Sequence, residues 1–492
     1  MVQKLAALAL VLLVSCAATP RTGEDQDPVP TYAPSAGLAV GEVGADRALI
    51  WSRADRAGFL AFEVRDARGR TLGSASCAVD ASTDFCATQP ILGLAPGVEH
   101  RVRVTAADAP LHGIPEGAQC LEGSFVTAAA ADDPRPVRFA WSGDLGGQNV
   151  GRDEQLGFAI LPRMLERRPD FFVALGDMIY ADGRIEGRGR FGNQQVPGAF
   201  EPSFQLEDFR AHWRYAREDA GLRELLARVP CYSVWDDHEV VNDFSPAGDG
   251  RSAAPATPEV HLMPLGLAAL REYNPVPPAG PLYRSVRRGK HLELFFLDNR
   301  GHRDANDLRD DGPAPKTQLG REQRIWLERA LAQSDATWRV VISSVPIGIP
   351  TGSANARDGW ADGDSGTGFE RELAGLFEHL RAGGVNHTVW LTTDVHFATG
   401  FEYTPFPATP EFKVHEFVAG PLSAGLFPRQ ELDPTFHPRR RFFHGPNAEP
   451  ASYGEALGWF NFGLIAIDAA GVLTLEMVDG HGKTFHTETL HP

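Results

Sequence analysis

Acidic and histidine side chains follow five apolar segments of this sequence, each at the point where the segment ends. They are Asp144, Asp177, the run Asp236-Asp237-His238-Glu239, Asp298 with Arg300, and Asp394 with His396. Carboxylates brought together repel one another and raise each other's pKa unless a cation lies between them. Oxygen ligands with histidine, without clustered cysteine, suit Ca, Mn, Zn or Fe(III). Two such ions bridged by a carboxylate could clamp a phosphoryl group for in-line displacement.

The apolar segments that precede these residues have the length and composition of buried strands. They cover 137–142, 171–175, 231–235, 292–297 and 388–392, with a further strand at 340–345. Helical spacing occurs at 154–168, 206–217, 321–333 and 369–382. The alternation predicts an α/β domain over 137–492, with sheet layers flanked by helices. In open α/β sheets the carboxyl ends of the strands bind ligands, so we expect the acidic residues to meet there.

Residues 36–128 differ from the rest of the chain. Short alternating runs recur between turn residues, which is typical of a small all-β sandwich, and the last two runs resemble those of fibronectin type III domains. Residues 129–136 form a short linker. Four cysteines remain after Cys16, and their pairing stays open: a disulfide among Cys77, Cys86 and Cys120 and free buried thiols are both compatible with the sequence.

The first 35 residues indicate export. Lys4 precedes an apolar run of about ten residues, too short for the roughly 20 that span a bilayer. The run ends at Leu-Val-Ser-Cys16, which resembles a bacterial lipobox; a plain signal peptide with an incidental cysteine is the alternative. We therefore expect a lipoprotein signal peptide at 1–16, a tether at 17–35, and an envelope protein anchored through Cys16 without crossing the membrane.

The net charge of the chain limits the classes of molecule that it is expected to bind. With 47 Lys and Arg against 64 Asp and Glu, the formal charge is −17, which argues against a general nucleic-acid binder. It leaves room for a small phosphate ester held by metal ions. We expect such an ester as substrate, no specific nucleic acid, membrane contact only through the lipid anchor, and a monomer.

Several of these segments together resemble one enzyme family, the alkaline phosphatase D (PhoD-like) metallophosphoesterases. The matching motifs are Gly176-Asp-Met-Ile-Tyr180, Trp235-Asp-Asp-His-Glu-Val240, Leu297-Asp-Asn-Arg300, Thr393-Asp-Val-His396, Gln318-Leu-Gly-Arg-Glu-Gln-Arg-Ile-Trp-Leu327 and Glu416-Phe-Val-Ala-Gly-Pro-Leu-Ser-Ala-Gly425. The resemblance runs from about residue 36 to the C-terminus. It implies a calcineurin-like domain with an N-terminal β-domain, an Fe(III) and Ca(II) centre, and hydrolysis of phosphate monoesters and diesters.

The resemblance also implies metal ligands. Asp177 would bridge the metals and Tyr180 would bind the ferric ion. Asp237 and, by a weaker match, Asn242 would bind the second metal. The remaining ligands would be Asp394 and His396. Asp144 stands where many members have a cysteine, so Mn or Zn are also compatible with this donor set.

Two further residues would act on the substrate. The resemblance implies that His238 protonates the leaving group or stabilises charge on the phosphoryl oxygen. Arg300 would grip a non-bridging oxygen with its planar guanidinium. The attack itself would be in line, by a metal-bound hydroxide or oxide.

Other functions are compatible with the same sequence. The chain could be a non-catalytic surface lipoprotein that binds a partner through its β-domain. Among enzymes, a phospholipase-like or nuclease-like diesterase competes with a monoesterase. Burying so many carboxylates without a metal is costly, which favours the enzyme.

Overall fold

The computed structural model of the chain describes residues 29–246 and 259–492. Cys16, the predicted signal peptide and most of the predicted tether lie outside the described residues. Within the part described, no helix is long and apolar enough to cross a membrane.

The N-terminal segment contains short strands and one 3₁₀ turn, Ala81–Thr83. The strands are β1 (Thr31–Tyr32), β2 (Leu38–Gly41), β3 (Arg47–Arg53), β4 (Gly58–Arg65), β5 (Thr71–Val79), β6 (Cys86–Leu92), β7 (Glu99–Ala107) and β8 (Leu121–Val126).

The remainder alternates strands and helices. Its strands are β9 (Val137–Ser142), β10 (Phe171–Ala174), β11 (Cys231–Ser233), β12 (Arg284–Arg288), β13 (Leu292–Phe296), β14 (Trp338–Ile342), β15 (Gly352–Ser353), β16 (Ala356–Arg357), β17 (Thr388–Thr392), β18 (Ala398–Tyr403), β19 (Val414–Val418), β20 (Pro438–His444), β21 (Asn461–Ile467), β22 (Leu473–Asp479) and β23 (Thr484–Leu490). Its helices are α1 (Ile160–Glu166), α2 (Leu206–Arg217), α3 (Ala220–Arg228), α4 (Glu259–Tyr273), α5 (Gly320–Gln333), α6 (Glu370–Ala382) and α7 (Tyr453–Ala456).

Two large mixed sheets carry the site. One has the strand order β23-β22-β21-β9-β10-β11-β2-β3-β6, and the other has the order β12-β13-β14-β17-β19-β18-β20. Strands β9, β10 and β11 run parallel in the first sheet, as do β13, β14, β17 and β19 in the second. The predicted parallel strands with intervening helices are therefore confirmed, although the strands divide between two sheets.

The two sheets face each other, as the alternation of side chains shows. Phe171 and Val173 of β10 belong to a core shared with strands of the second sheet, while Phe172 of the same strand packs on the opposite side. In the second sheet Val340 faces the shared core, and Val341 faces the separate core formed with the covering helices. Because successive strand residues point to opposite faces, continuous apolar runs are the expected pattern for sheets covered on both sides. Helices α1 to α4 cover the first sheet, and α5 and α6 cover the second.

The N-terminal strands are not separate from this architecture. A five-stranded sheet of β1, β4, β5, β7 and β8 packs against β2, β3 and β6 around one apolar core. Strand β2, however, pairs in parallel with β11, with Gly41 opposite Cys231. The predicted sandwich over 36–128 thus shares one of its two sheets with the following segment, and the sheet continues across the predicted boundary at 128.

Helix α1 is shorter than predicted. Helical spacing over 154–168 indicates a longer helix, but the structure begins it at Ile160. Asp153 Oδ1 accepts hydrogen bonds from the backbone N–H groups of Gln155 and Leu156. A side chain that satisfies backbone donors in this way holds a turn in competition with a helix.

Candidate metal centre

The carboxyl ends of β9, β10, β11 and β17 meet at one polar cavity of about 230 Å³. Of the residues predicted from the sequence, its lining includes Asp177, Asp237, His238, Asn242, Asp394 and His396. Asp144 and Tyr180 join them through His396: the Nε2 atom of His396 lies 3.7 Å from Asp144 Oδ1 and 3.1 Å from the Tyr180 hydroxyl. The structure therefore brings all seven residues of the predicted metal set together.

Four of these residues have strained backbones. The φ angles are 62° at Asp144, 52° at Asp177, 78° at Asp394 and 58° at His396. Left-handed backbone is unfavourable for residues other than glycine, and such strain concentrates at functional sites. Each of these residues lies in a turn after a parallel strand, and Asp177, Asp394 and His396 line the cavity at that edge of the sheets.

Several buried carboxylate oxygens lack a protein partner. Asp144 Oδ1, Asp236 Oδ2 and Asp394 Oδ2 accept no hydrogen bond from any described residue. Burial raises the pKa of Asp144 to about 8 and that of Asp394 well above its usual range, and neighbouring carboxylates add to both shifts. Buried oxygens without partners are costly, and a bound cation would satisfy them.

Three groups of described side chains have ligand atoms within 4.8 Å of one another at this site. They are Asp177 with Asp237 and His238, Asp236 with Asp237 and Asp394, and Asp237 with Asp243 and Asp358. Asp237 belongs to all three. Oxygen donors predominate, which is the donor set of hard cations. The residues present therefore fit a metal centre.

Glu239 holds the turns that carry two of these carboxylates. Its Oε2 accepts hydrogen bonds from the backbone N–H groups of Asp177 (3.0 Å) and Asp236 (2.8 Å), and its Oε1 accepts one from Met178 (2.8 Å). The side chain is fully buried. It thus joins the loop after β10 to the loop after β11.

His238 is paired with a carboxylate that the sequence analysis did not single out. Its Nδ1 lies 2.7 Å from Asp182 Oδ1, and Asp182 Oδ2 accepts a hydrogen bond from the backbone of Asn242. Burial alone lowers the pKa of His238, but the carboxylates of Asp182 and Asp237 outweigh it and raise that pKa to about 10. The imidazole is therefore positively charged at neutral pH, with both ring nitrogens protonated, and its Nε2–H can donate to a ligand in the cavity.

His396 has the opposite protonation. Burial lowers its pKa to about 3, so the ring is neutral. Nδ1 donates to the carbonyl oxygen of Gly425, which leaves Nε2 without a proton and directed at Asp144 and Tyr180. The ring also stacks on Phe427, with centroids 4.6 Å apart.

Arg300 does not line the cavity, contrary to the position expected for a residue that grips substrate. Its side chain is fully buried, with both terminal nitrogens donating to Asp358 and Nε donating to Asp236 Oδ1, each at 2.6 Å. All three guanidinium nitrogens thus already donate to carboxylates, and a phosphoryl oxygen would have to displace one of them. Arg300 therefore contacts the site through Asp236 and Asp358, and its guanidinium does not face the cavity.

Sequence reasoning missed three acidic residues of the site. Asp182 lies five residues after Asp177 in the same loop, and that proximity to Tyr180 was an available signal. Asp243 lines the cavity, six residues after Asp237. Asp358 lies in a Gly- and Asp-rich loop with no distinguishing pattern, so nothing local in the sequence marks it.

The sequence model of the PhoD-like phosphatases matches residues 139–471 of this chain, which cover the strands and loops just described. The chain belongs to the PhoD-like phosphatase family. The family resemblance seen in the motifs is thereby confirmed. All the predicted metal-site residues lie within the matched segment.

Individual relatives agree with this PhoD-like assignment. Alkaline phosphatase D of Bacillus subtilis (strain 168) is 28% identical over 260 residues, which cover 47% of this chain and 42% of the relative. The match thus spans less than half of the length of that curated relative. A solved structure of PhoD has a TM-score of 0.73 at 20% identity and covers 94% of this chain and 90% of its own.

A second solved structure shares the PhoD-like chain's fold. It is the purple acid phosphatase PPD1 from yellow lupin seeds, with a TM-score of 0.59 and 14% identity. The alignment covers 94% of this chain and 74% of the lupin enzyme. At this identity the likeness shows the fold alone.

Proposed function

We propose that this chain is a metal-dependent phosphoesterase that hydrolyses small phosphate diesters, monoesters or both. The observation that carries the proposal is a set of buried carboxylate oxygens, on Asp144, Asp236 and Asp394, that accept no hydrogen bond from any described residue. Asp394 lines the polar cavity, and Asp144 and Asp236 belong to the same carboxylate cluster. Membership of the PhoD-like phosphatase family supports the reaction class.

The metal ions would be held by the residues that the structure brings together. They are Asp144, Asp177, Tyr180, Asp237, Asn242, Asp394 and His396. When bound, such ions supply Lewis acidity that neutralises phosphoryl oxygens and lowers the pKa of the attacking water. We propose Fe(III) with Ca(II) for the pair; Asp144 is a harder donor than cysteine, so Mn and Zn are the alternatives to test.

His238 would serve the leaving group. Its protonated ring is held through Nδ1 by Asp182, so Nε2 can donate a proton to the departing ester oxygen or a hydrogen bond to a phosphoryl oxygen. The ring is about one-eighth exposed and lines the cavity, which gives substrate access to it. The proton leaves from Nε2, and Asp182 keeps the ring orientation fixed.

The test is metal analysis combined with turnover. We expect about two metal equivalents in the purified protein and chelator-sensitive hydrolysis of an aryl phosphodiester or monoester. Asp237→Asn should abolish both the metal content and the turnover, because Asp237 belongs to all three ligand groups. Asp335→Asn is the matched control, since the Asp335 side chain is 91% exposed and forms a surface ion pair with Arg287.

The alternatives give different outcomes. The ratio of diester to monoester turnover decides the subclass, and activity on phospholipid or oligonucleotide would identify a phospholipase-like or nuclease-like diesterase. A folded protein without metal or turnover, after reconstitution with Fe, Ca, Mn and Zn, would contradict the enzyme and favour a non-catalytic lipoprotein.

We propose in addition that the chain is exported and anchored through Cys16. The support is the lipobox-like Leu-Val-Ser-Cys16 after a short apolar run. The full chain expressed in bacteria should incorporate labelled palmitate and fractionate with membranes. Cys16→Ser should abolish both, whereas Cys231→Ser should leave them unchanged.

A further inference from the structure

A chain of buried ion pairs joins one wall of the cavity to the carboxylates after β11. Asp358, which follows β16, accepts hydrogen bonds from both terminal nitrogens of Arg300 at 2.6 Å. The Nε of Arg300 donates to Asp236 Oδ1, also at 2.6 Å. Arg300 is 0% exposed and Asp358 is 1% exposed, so solvent screens neither pair.

One end of this chain reaches the cavity wall. Residues Pro350, Thr351 and Gly352, at the start of the β15–β16 hairpin, line the same cavity as Asp237 and Asp394. The backbone N–H of Asp358 donates to the carbonyl oxygen of Thr351 at 3.1 Å. Asp358 therefore holds the wall through its backbone and Arg300 through its side chain.

The other end reaches the metal-ligand cluster. Asp236 Oδ1 is held by Arg300 and by the hydroxyl of Ser344, while Asp236 Oδ2 has no partner among the described residues. The free oxygen belongs to the group that Asp236 forms with Asp237 and Asp394 within 4.8 Å. By holding one oxygen, Arg300 decides which oxygen of Asp236 is presented to a cation.

We propose that Arg300 and Asp358 are a positioning pair. Together they hold Asp236 so that its Oδ2 lies among the proposed metal-ligand carboxylates. They also fix the distance between Asp236 and the cavity wall at residues 350–352. One oxygen of Asp358 lies within 4.8 Å of ligand atoms of Asp237 and Asp243, but both of its oxygens already accept hydrogen bonds from Arg300, which assigns Asp358 to positioning. The proposal rests on the metal site of the proposed function.

The charge balance explains why both partners are needed. Arg300 is shared by Asp236 and Asp358, and its Nη2 also lies 3.6 Å from Asp237 Oδ1. Without Asp358, the buried guanidinium of Arg300 would lose one of its counter-charges. It would then interact more strongly with Asp236 and Asp237 and compete with a cation for these carboxylates. Residues that orient metal ligands typically change metal affinity about 10–100-fold when replaced.

The first experiment titrates Mn²⁺ alone into the metal-free full chain by calorimetry. Asp358→Asn, with circular dichroism unchanged, should raise the Kd about 10–100-fold. Arg300→Lys should do the same, because one ammonium cannot reproduce the planar fork. Glu272→Gln is the matched control, because the carboxylate of Glu272 also accepts two hydrogen bonds of 2.7 Å from a buried arginine, Arg210. This substitution should leave the Kd for Mn²⁺ unchanged.

The second experiment measures hydrogen exchange of segment 350–358 without metal. Asp358→Asn should speed exchange there about tenfold or more relative to the parent, by an opening of roughly 1.4 kcal/mol. Glu272→Gln should not. Because no metal or substrate is present, this readout depends on the wall contact alone.

The outcomes separate the two proposals. If the parent binds Mn²⁺ and hydrolyses esters, yet Asp358→Asn and Arg300→Lys bind Mn²⁺ with the parent's Kd, the positioning pair is wrong and the enzyme stands. Unchanged exchange at 350–358 likewise overturns the role at the wall. If the parent binds no metal, both proposals fall together.

Discussion

Asp182 Oδ1 and His238 Nδ1 lie 2.7 Å apart, and this contact sets the protonation of the histidine that lines the cavity. Asp182 comes from the loop after β10 and His238 from the loop after β11. Burial raises the pKa of Asp182, but His238 and the backbone donor from Asn242 outweigh it, and the net shift is downward. The pair is therefore an ionised carboxylate beside a protonated imidazole.

Replacing Asp182 should remove both the orientation and the charge of this pair. We expect Asp182→Asn to lower kcat about 10–100-fold with a smaller effect on KM, since general acid catalysis typically contributes about 10²–10⁴-fold. The sign of the pKa change follows from the lost carboxylate: the pKa of His238 falls from about 10. Steady-state kinetics and ring NMR of the histidine measure the two effects.

The double variant provides the control. If Asp182 acts through His238, Asp182→Asn with His238→Gln should cost no more than His238→Gln alone. Additive losses of kcat would show that Asp182 acts by another route.

Tyr180 should be tested by its spectrum. Its hydroxyl lies 3.1 Å from His396 Nε2 and burial raises its pKa well above the usual range, so only a bound cation would favour the phenolate. After reconstitution with Fe(III), the parent should show a visible absorption band that Tyr180→Phe lacks. Tyr403→Phe is the matched control, because Tyr403 is equally buried but bonds Glu416. A band retained in Tyr180→Phe would place the phenol outside the ligand set.

Metal removal should make stability depend on pH. Burial raises the pKa of Asp144 from 3.8 to about 8 in the folded chain, so folding favours the protonated carboxyl. This contribution is present at low pH and is lost as the pH rises from about 4 to about 8. We expect the metal-free protein to melt about 2–5 °C lower at pH 8 than at pH 5, since 1 kcal/mol is worth roughly 1 °C in a chain of 492 residues.

Two comparisons isolate the cause. Asp144→Asn, which cannot ionise, should have a shallower dependence of Tm on pH. Added metal should raise Tm more at pH 8 than at pH 5, because it binds the ionised carboxylates. A metal-free Tm that rises between pH 5 and pH 8 would contradict the assignment of these carboxylates.

Gly420 should be intolerant of a side chain. Its φ is +133°, and a Cβ there would lie 2.3 Å from Asp144 Oδ2 and 2.6 Å from Thr393 Oγ1. We expect Gly420→Ala to destabilise the fold by about 2–4 kcal/mol and to weaken metal binding. Gly93→Ala, also at positive φ but with open space around it, should cost only about 1 kcal/mol. Urea unfolding and Mn²⁺ titration measure both; equal costs would show backbone strain alone.

Local sequence pattern predicted the parallel strands β9, β10, β11, β13, β14 and β17 and the charged residues that follow them. Helix α2 was predicted at its observed bounds, and α5 and α6 to within one residue. These are local properties, since apolar runs and helical spacing reflect which faces are covered. Because parallel strands end at a common edge, Asp144, Asp177, Asp237, Asp394 and His396 could be placed at one site before any tertiary structure was known.

The pairing of distant segments depends on tertiary packing and has no local signal in the sequence. Arg300 looks suited to phosphate in the sequence, but Asp358, 58 residues away, occupies its guanidinium. Asp182, in the loop after β10, contacts His238, in the loop after β11. Strand β2 pairs with β11 although Gly41 and Cys231 lie 190 positions apart in the sequence. Such contacts carry no local pattern, because which charge meets which depends on how two sheets and their loops pack. Local sequence pattern thus indicated which carboxylates and which histidine meet at the cavity, whereas the packing of sheets and loops fixed the groups that hold them in place.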